Sequence, residues 1–410
     1  MRRSLIYLSL AGALASVAVV IAIGTTACAP LPNCLFLPQI NGAPRLSTPP
    51  TLTATVFATS TPTTSPAPTA NSDATLTATP DSANPAPITT ATPTQPANSS
   101  TTAVPDSTAT ATAAATAVTL KGLAILGDST QDEYQADNPR GGAFTANTLN
   151  WVEQLVRFRG LNLGTPGTRP EPRRSGYDYN WARSGATSAD MISKGQHTGA
   201  AEQIQAGNVS HVAIQIGIND FYFSGLGAAI YSGTISSNQI KIQLDKIVAN
   251  IALATRTVHA ANPRGVLLVA MQDYITLPII PELQFMLASP AASAGRQRTL
   301  DAFNYLNDEL RKVAAQEGVP FFDYNAVMLA EMNARRDSQG FLVVGGQRID
   351  LNKRGNDPHF GILDDGYVHP GTVLSGLSAN VYIQAFNREF GTNITPFTDA
   401  EILRAAGIVS

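Results

Sequence analysis

The stretch Leu123-Ala124-Ile125-Leu126-Gly127-Asp128-Ser129 decides the fold. Four consecutive apolar residues without polar alternation describe a strand buried on both faces, which suits a parallel sheet better than an antiparallel one half open to water. The Gly, Asp and Ser that follow are turn residues, so the strand ends near Gly127 and leaves Ser129 at its carboxyl end. In an open parallel sheet that end is where ligands bind.

The same grammar repeats downstream. Asn147 to Gly160 puts Leu149, Val152, Leu155, Val156 and Phe158 near one face and predicts a helix. His211–Ile216 (HVAIQI) predicts a second buried strand, and Ile240–Ala261 a long amphipathic helix stopped by Asn262-Pro263. Val266–Ala270 predicts a strand, Arg296–Glu317 a helix with Gly318 behind it, and Val319–Phe322 another strand. Gly345-Gly346 inside Phe341–Ile349 predicts a β-hairpin. Two helices finish the chain, Thr372–Phe390 and Thr398–Ala406, the second with Thr398 and Glu401 at capping-box spacing. Strands alternating with helices predict an α/β domain over residues 120–410: a three-layer α/β/α sandwich with a central, mainly parallel sheet.

Upstream the composition changes. From Ser47 to Thr119 the chain is almost entirely Thr, Ala, Pro and Ser, with too few large apolar groups to offset the entropy of folding. Residues 29–119 are therefore expected to form a disordered linker, stretched by its prolines. Residues 1–28 read as an export segment, in which Arg2 and Arg3 precede an apolar run from Leu5 to Ile23. Three fates are open for it. Gly24-Thr25-Thr26-Ala27-Cys28 resembles a lipoprotein cleavage site, although Thr25 stands where such sites have leucine. Ala27-Cys28-Ala29 fits ordinary signal cleavage and a secreted product. The run, at roughly 19 residues, is also long enough to remain as a membrane anchor. Each fate places the rest of the chain outside the cytoplasm, with membrane contact only through the N-terminal anchor.

Charge and cysteine usage narrow the function. The 410 residues carry 27 Lys and Arg against 30 Asp and Glu, interspersed, so no basic stripe points to nucleic acid. Cys28 and Cys34 are the only cysteines and precede the domain, which is expected to hold neither a disulfide nor a cysteine metal site. No H-E-x-x-H, P-loop or G-x-G-x-x-G occurs, so no metal and no cofactor is expected.

Three strand-end or helix-start motifs carry chemistry. Ser129 in Gly127-Asp128-Ser129 is a candidate nucleophile, with an ordinary turn as the alternative. Asn219 in Gly217-Ile218-Asn219-Asp220 follows the HVAIQI strand; its amide can face an oxygen that becomes negative, and such a donor is worth about 3 kcal/mol of barrier. The alternative there is an Asx turn. His369 in His369-Pro370-Gly371-Thr372 opens a helix and can accept the serine proton. Among the other histidines, His211 reads as structural, His259 as a capping or surface residue, and His197 as part of a loop that could border the cleft. His359, paired with Asp357 in Asp357-Pro358-His359, is the rival base.

Together with Gly185 in Asn180-Trp181-Ala182-Arg183-Ser184-Gly185-Ala186, these blocks resemble the SGNH (GDSL-type) hydrolase family, in order and spacing, from about Leu120 to Gly391. The resemblance implies a flavodoxin-like fold and ester hydrolysis by a serine nucleophile, Ser129, with His369 as general base. It implies an oxyanion hole made by the backbone N–H groups of Ser129 and Gly185 and the Asn219 side chain. The family has an Asp three residues before its catalytic His, whereas position 366 here is Gly. A one-residue bulge bringing Asp365 to the imidazole, Asp364, or a backbone carbonyl are the open alternatives. The implied substrate is a small-molecule or polysaccharide ester. O-acetyl groups on carbohydrate suit a tethered exported domain; lipid-type esters, thioesters and a non-catalytic glycan-binding module on the same fold are alternatives. The loop Gln131–Ala146 is expected to wall the cleft, with Asp132, Glu133, Tyr134 and Arg140 toward a polar substrate, unless it is a solvated surface loop. The apolar segment Leu277–Ala294 either flanks the cleft or packs in the core. Oligomeric state is not legible from the sequence.

Overall fold

The computed structural model describes residues 118–137, 139–221, 225–277, 290–365 and 369–408. The expectations for the export segment and nearly all of the linker, and most of the Leu277–Ala294 segment, lie outside these residues. In chain order the strands are β1 (Leu123–Gly127), β2 (Pro166–Thr168), β3 (Ser175–Tyr177), β4 (His211–Gln215), β5 (Gly265–Val269), β6 (Phe321–Phe322), β7 (Leu342–Val344), β8 (Gln347–Arg354) and β9 (Phe360–Ile362).

The central sheet has the order β1-β4-β5-β6, all parallel, with Gly127 opposite Gln215 and Ile214 opposite Leu268. Every residue of β1 and β4 is buried, as continuous apolar runs in a sheet covered on both faces require. Tyr179–Arg183 runs along the free edge of β1. Ile125 N–H donates to Tyr179 O at 3.1 Å, Trp181 N–H to Ile125 O at 2.8 Å, and Arg183 N–H to Gly127 O at 3.2 Å. This extended segment completes a doubly wound order and carries Ser184 and Gly185 to the same sheet end as Asp128 and Ser129. The turn after β4 delivers Asn219 there as well.

Helices cover the sheet. Trp151–Arg159 and Thr372–Phe390 pack together, and the latter is buried along almost its whole length because Tyr324–Arg335 and Asp399–Ala405 also lie against it. Trp151 stacks on Tyr382 with ring centroids 3.8 Å apart. A second group, Gln196–Gln205, Ser237–Ala260 and Pro290–Glu317, packs in sequence. Gly199 lets Gln196–Gln205 close on the sheet, since a Cβ there would stand 2.0 Å from the Trp181 ring. None of the helices among the described residues is long and apolar enough to cross a membrane.

The three-layer α/β/α architecture is thus the observed one, and the differences are local. The first helix starts at Trp151, not Asn147, because Gly142–Asn147 is a 3-10 turn and Asn150 forms a capping box with Glu153. Ser236 and Gln239 cap the long helix, starting it three residues before Ile240. The hairpin at Gly345-Gly346 joins β7 to β8, as its glycines predict, and β9 adds to β8 in parallel. The β2–β3 hairpin and the helices Ser188–Ser193, Leu226–Ser232 and Tyr324–Arg335 carried no sequence expectation.

Candidate active site

Ser129 sits in a tight turn held from below. Asp128 Oδ1 accepts from Thr130 N–H and Thr130 Oγ1, both at 3.1 Å, and Asp128 N–H donates to Gln131 Oε1 at 3.0 Å. Gln131 Nε2 donates to Gln215 Oε1 at 2.6 Å, and the Tyr382 hydroxyl donates to the same oxygen at 2.6 Å. A buried polar network therefore fixes the nucleophile turn to β4 and to the helix Thr372–Phe390. Burial pushes the Asp128 carboxyl up to about 7, with the two Thr130 bonds pulling the other way.

Gly185 has φ +79°, the left-handed region that favours glycine, and a Cβ there would meet nothing within 4 Å. The glycine is thus favoured by backbone conformation, not by crowding. Asp132 Oδ2 accepts from Ser184 N–H at 2.7 Å and ties this turn to the segment that follows Ser129. Asn219 Nδ2 donates one hydrogen to Ala186 O at 2.9 Å, leaving its second for another acceptor. Asp220 accepts from Ser188 N–H and Ser188 Oγ, both at 2.8 Å, locking the Asn219 turn to the helix Ser188–Ser193.

His369 comes from the loop ahead of Thr372–Phe390 and is 3% exposed. Its Nδ1 lies 2.5 Å from Asp365 Oδ2 across an i,i+4 spacing. With Nδ1–H donated to that carboxylate, the Nε2 lone pair is the one left to take a proton. Tyr134, fully buried, sets its ring edge-on to the imidazole at 6.0 Å. Burial lowers the His369 pKa from its ordinary value; the Arg140 and Arg354 charges act in the same direction and Asp365 opposes them. Asp364, the neighbouring acid, is exposed. Asp365, one of the three orienting groups left open by the sequence, is in contact with the imidazole.

The structure corrects two expectations. In the loop Gln131–Ala146, Asp132, Glu133 and Tyr134 are buried and do not point to solvent, whereas Pro139, Gly142, Ala143, Phe144 and Ala146 are exposed. Glu133 Oε1 accepts from Tyr177 N–H at 2.8 Å, and burial pushes its carboxyl up to about 8. The Asp132 and Glu133 carboxylates thus serve backbone donors at Ser184 and Tyr177. Two of the four reach the His369 region: Tyr134 through its ring and Arg140 through Nη1, 2.5 Å from Asp365 Oδ2. His197, expected in a loop, lies buried in the first turn of Gln196–Gln205, where burial lowers its pKa. His211 is the structural residue expected: it is buried against Phe390, 2.8 Å from Ser210 Oγ, with its pKa pushed down to about 4 by burial. His259 is exposed at the end of its helix. His359 pairs with Asp357 at 2.9 Å, but both side chains are about half exposed, whereas the Asp365–His369 pair is shielded.

Comparison with known families places the whole arrangement. The model of the GDSL-like lipase/acylhydrolase family matches residues 125–372, from β1 to the start of the last long helix. The chain belongs to the GDSL-like lipase/acylhydrolase family. As a member, it is a hydrolase acting on ester bonds. No curated protein matches the chain. Solved structures similar to this GDSL-like hydrolase include the acetylxylan esterase Axe2 of Geobacillus stearothermophilus, with 18% identity, 66% of this chain and 94% of that one covered, and a TM-score of 0.34. LAE5, an α/β hydrolase from the metagenome of Lake Arreo, matches at 16% identity over 70% and 96% of the two chains, with a TM-score of 0.31. Phospholipase A1 of Streptomyces albidoflavus matches at 15% identity over 66% and 100%, with a TM-score of 0.33. Among the described residues of the GDSL-like domain, no group of three or more His, Cys, Asp or Glu side chains is arranged to hold a metal ion.

Proposed function

We propose that this chain is an extracytoplasmic serine esterase that removes small acyl groups through an acyl-enzyme, with O-acetyl groups on carbohydrate as its substrate class. The observation that carries the mechanism is the shielded pair of His369 Nδ1 and Asp365 Oδ2 at 2.5 Å, which supports an Nδ1–H tautomer with Nε2 as the base. In this reading Ser129 Oγ attacks the ester carbonyl carbon while its proton passes to His369 Nε2. The carbonyl oxygen becomes an oxyanion and is met by the N–H groups of Ser129 and Gly185 and by the free hydrogen of the Asn219 amide. Collapse breaks the bond to the alcohol, which leaves with the proton from His369. Water then attacks the acyl-enzyme, its proton passing to His369 and on to Ser129 Oγ as the carboxylic acid departs.

The substrate class is supported by the export segment and the Thr/Pro/Ala/Ser tether, which suit a domain working on polymers outside the cytoplasm. The test is hydrolysis of p-nitrophenyl acetate and of acetylated xylan oligosaccharides by the full chain, beside Ser129→Ala and His369→Ala. Acetate release that disappears in both variants supports the reading. A folded chain without esterase activity overturns it, and preference for long acyl chains over acetate overturns the substrate class.

A further inference from the structure

We propose that Arg140 is a positioning residue, whose guanidinium clamps the Asp365–His369 pair to the turn that carries Gly185. The proposal rests on the esterase reading above. Arg140 Nη1 is 2.5 Å from Asp365 Oδ2 and 2.7 Å from His369 Nδ1, and Nη2 donates to Ser184 Oγ at 3.1 Å. The guanidinium carbon lies 5.1 Å from the centroid of the Tyr134 ring, the same ring that meets His369 edge-on. The Arg140 side chain is 11% exposed, so these contacts are shielded from competing water.

In the Nδ1–H tautomer that the esterase reading uses, both Nη1 and His369 Nδ1 carry hydrogens, and the shared acceptor is Asp365 Oδ2. The 2.7 Å approach of the two nitrogens is therefore a donor–donor contact, tolerated because the carboxylate between them takes a hydrogen from each. This arrangement answers the unusual spacing of the acid. Asp365 stands four residues before His369, not three, and the Arg140 bond adds to the one its carboxylate makes to the imidazole. The guanidinium is a planar fork with fixed geometry, so it can hold the carboxylate through one nitrogen while the other reaches Ser184. Base and oxyanion turn are thereby set in one frame by one side chain. Arg140 is itself anchored: its N–H donates to Tyr134 O at 3.0 Å, and Tyr134 N–H donates to Glu153 Oε2 at 3.1 Å.

Among the described residues, the titratable and charged groups facing His369 include Asp365, Arg140, Arg354 of β8 and the Tyr134 phenol. Removing the Arg140 cation withdraws one repulsive charge from the imidazole, with burial and Arg354 still opposing Asp365, so His369 should hold a proton to higher pH than in the parent. The titration reports the Arg140 charge beside the imidazole, and the kcat of Arg140→Lys, which keeps that charge, reports the clamp.

The experiment compares the full chain with Arg140→Ala and Arg140→Lys. It reads kcat and KM for p-nitrophenyl acetate across pH, and titrates the His369 ring by NMR. For Arg140→Ala, kcat should fall about 10- to 100-fold with KM nearly unchanged, the scale set by misplacing a reacting group by about 1 Å. The acid limb and the ring titration should both move to higher pH. Arg140→Lys should bring the titration back toward the parent while kcat stays about tenfold low, because one ammonium cannot span Asp365 and Ser184. If Arg140→Ala does not fold, the lysine variant decides alone: parent-like kcat overturns the clamp. Loss of kcat without a shift of the ring titration also overturns it, leaving a structural ion pair. The ring titration needs no turnover. A parent without esterase activity but with the titration shift refutes the esterase reading and leaves the clamp standing.

Discussion

Replacing Glu153 tests how the irregular segment behind the nucleophile is held. Glu153 is 2% exposed, and its carboxylate accepts three backbone N–H groups: Tyr134 at 3.1 Å and Asn150 at 2.9 Å on Oε2, and Gln135 at 3.1 Å on Oε1. Glu153→Ala leaves all three without that acceptor and breaks the capping box with Asn150. An unsatisfied buried donor costs about 1–3 kcal/mol, and water can reach the part-buried Gln135 group, so the loss should be ~3–5 kcal/mol. The carboxylate is itself pushed upward in pKa by burial, and relief of that desolvation offsets part of the loss. Glu153→Gln is the graded control. Its oxygen can keep the Tyr134 and Asn150 bonds while its NH2 opposes Gln135 N–H, for a loss of ~1–3 kcal/mol. Urea unfolding at neutral pH checks this, with the midpoint falling at constant m-value in the order parent, Gln, Ala. Because Tyr134 and Arg140 hang from this segment, kcat should fall in the same order. A Glu153→Ala midpoint within ~1 kcal/mol of the parent would refute the reasoning.

Three further outcomes follow from the site. The His369 pKa is lowered from 6.5 and the neutral imidazole is the base, so kcat/KM should fall as pH drops, with a midpoint below 6.5; a midpoint above that value contradicts the burial argument. Gly185→Ala meets no neighbour but must keep φ +79°, so unfolding should show a loss of only roughly 1–2 kcal/mol. The added methyl should still lower kcat about 10²-fold by standing beside the oxyanion donor, and an unchanged kcat would remove Gly185 from the oxyanion hole. Asp128 is raised from 3.8 to about 7, so between those values the native state binds the extra proton and the parent loses stability as pH rises. Asparagine does not titrate, so the stability of Asp128→Asn relative to the parent should grow across that window in urea unfolding, and a flat difference would contradict the assigned burial cost.

What the sequence revealed follows from which forces act locally. Leu123–Leu126 and the HVAIQI run were legible as buried strands because a parallel sheet covered on both faces demands continuous apolar residues. Thr398 and Glu401 were legible as a capping box because both halves lie in one turn, and the structure forms it. The β2–β3 hairpin was not, since its residues are exposed or half-buried and carry no apolar alternation. Asp132, Glu133 and Tyr134 misled because charged and phenolic side chains suggest solvent or substrate. Their actual partners are backbone donors at Ser184, Tyr177 and, for Tyr134, a face against His369, none of which is near in sequence. Arg140 is the sharpest case. Its link to Asp365 spans 225 positions, and only the meeting of β1, the Tyr179–Arg183 edge and the C-terminal loop at one sheet end makes the pair.

The central claim is that Ser129 is the acylated residue. Its most direct test is to react the full chain with a fluorophosphonate ester and map the adduct by peptide mass spectrometry while following p-nitrophenyl acetate hydrolysis. The account predicts one phosphonyl group on Ser129, loss of activity in proportion to labelling, and no labelling in His369→Ala on the same timescale. A chain that hydrolyses the ester but carries the adduct on another residue, or keeps its activity once Ser129 is modified, would contradict it.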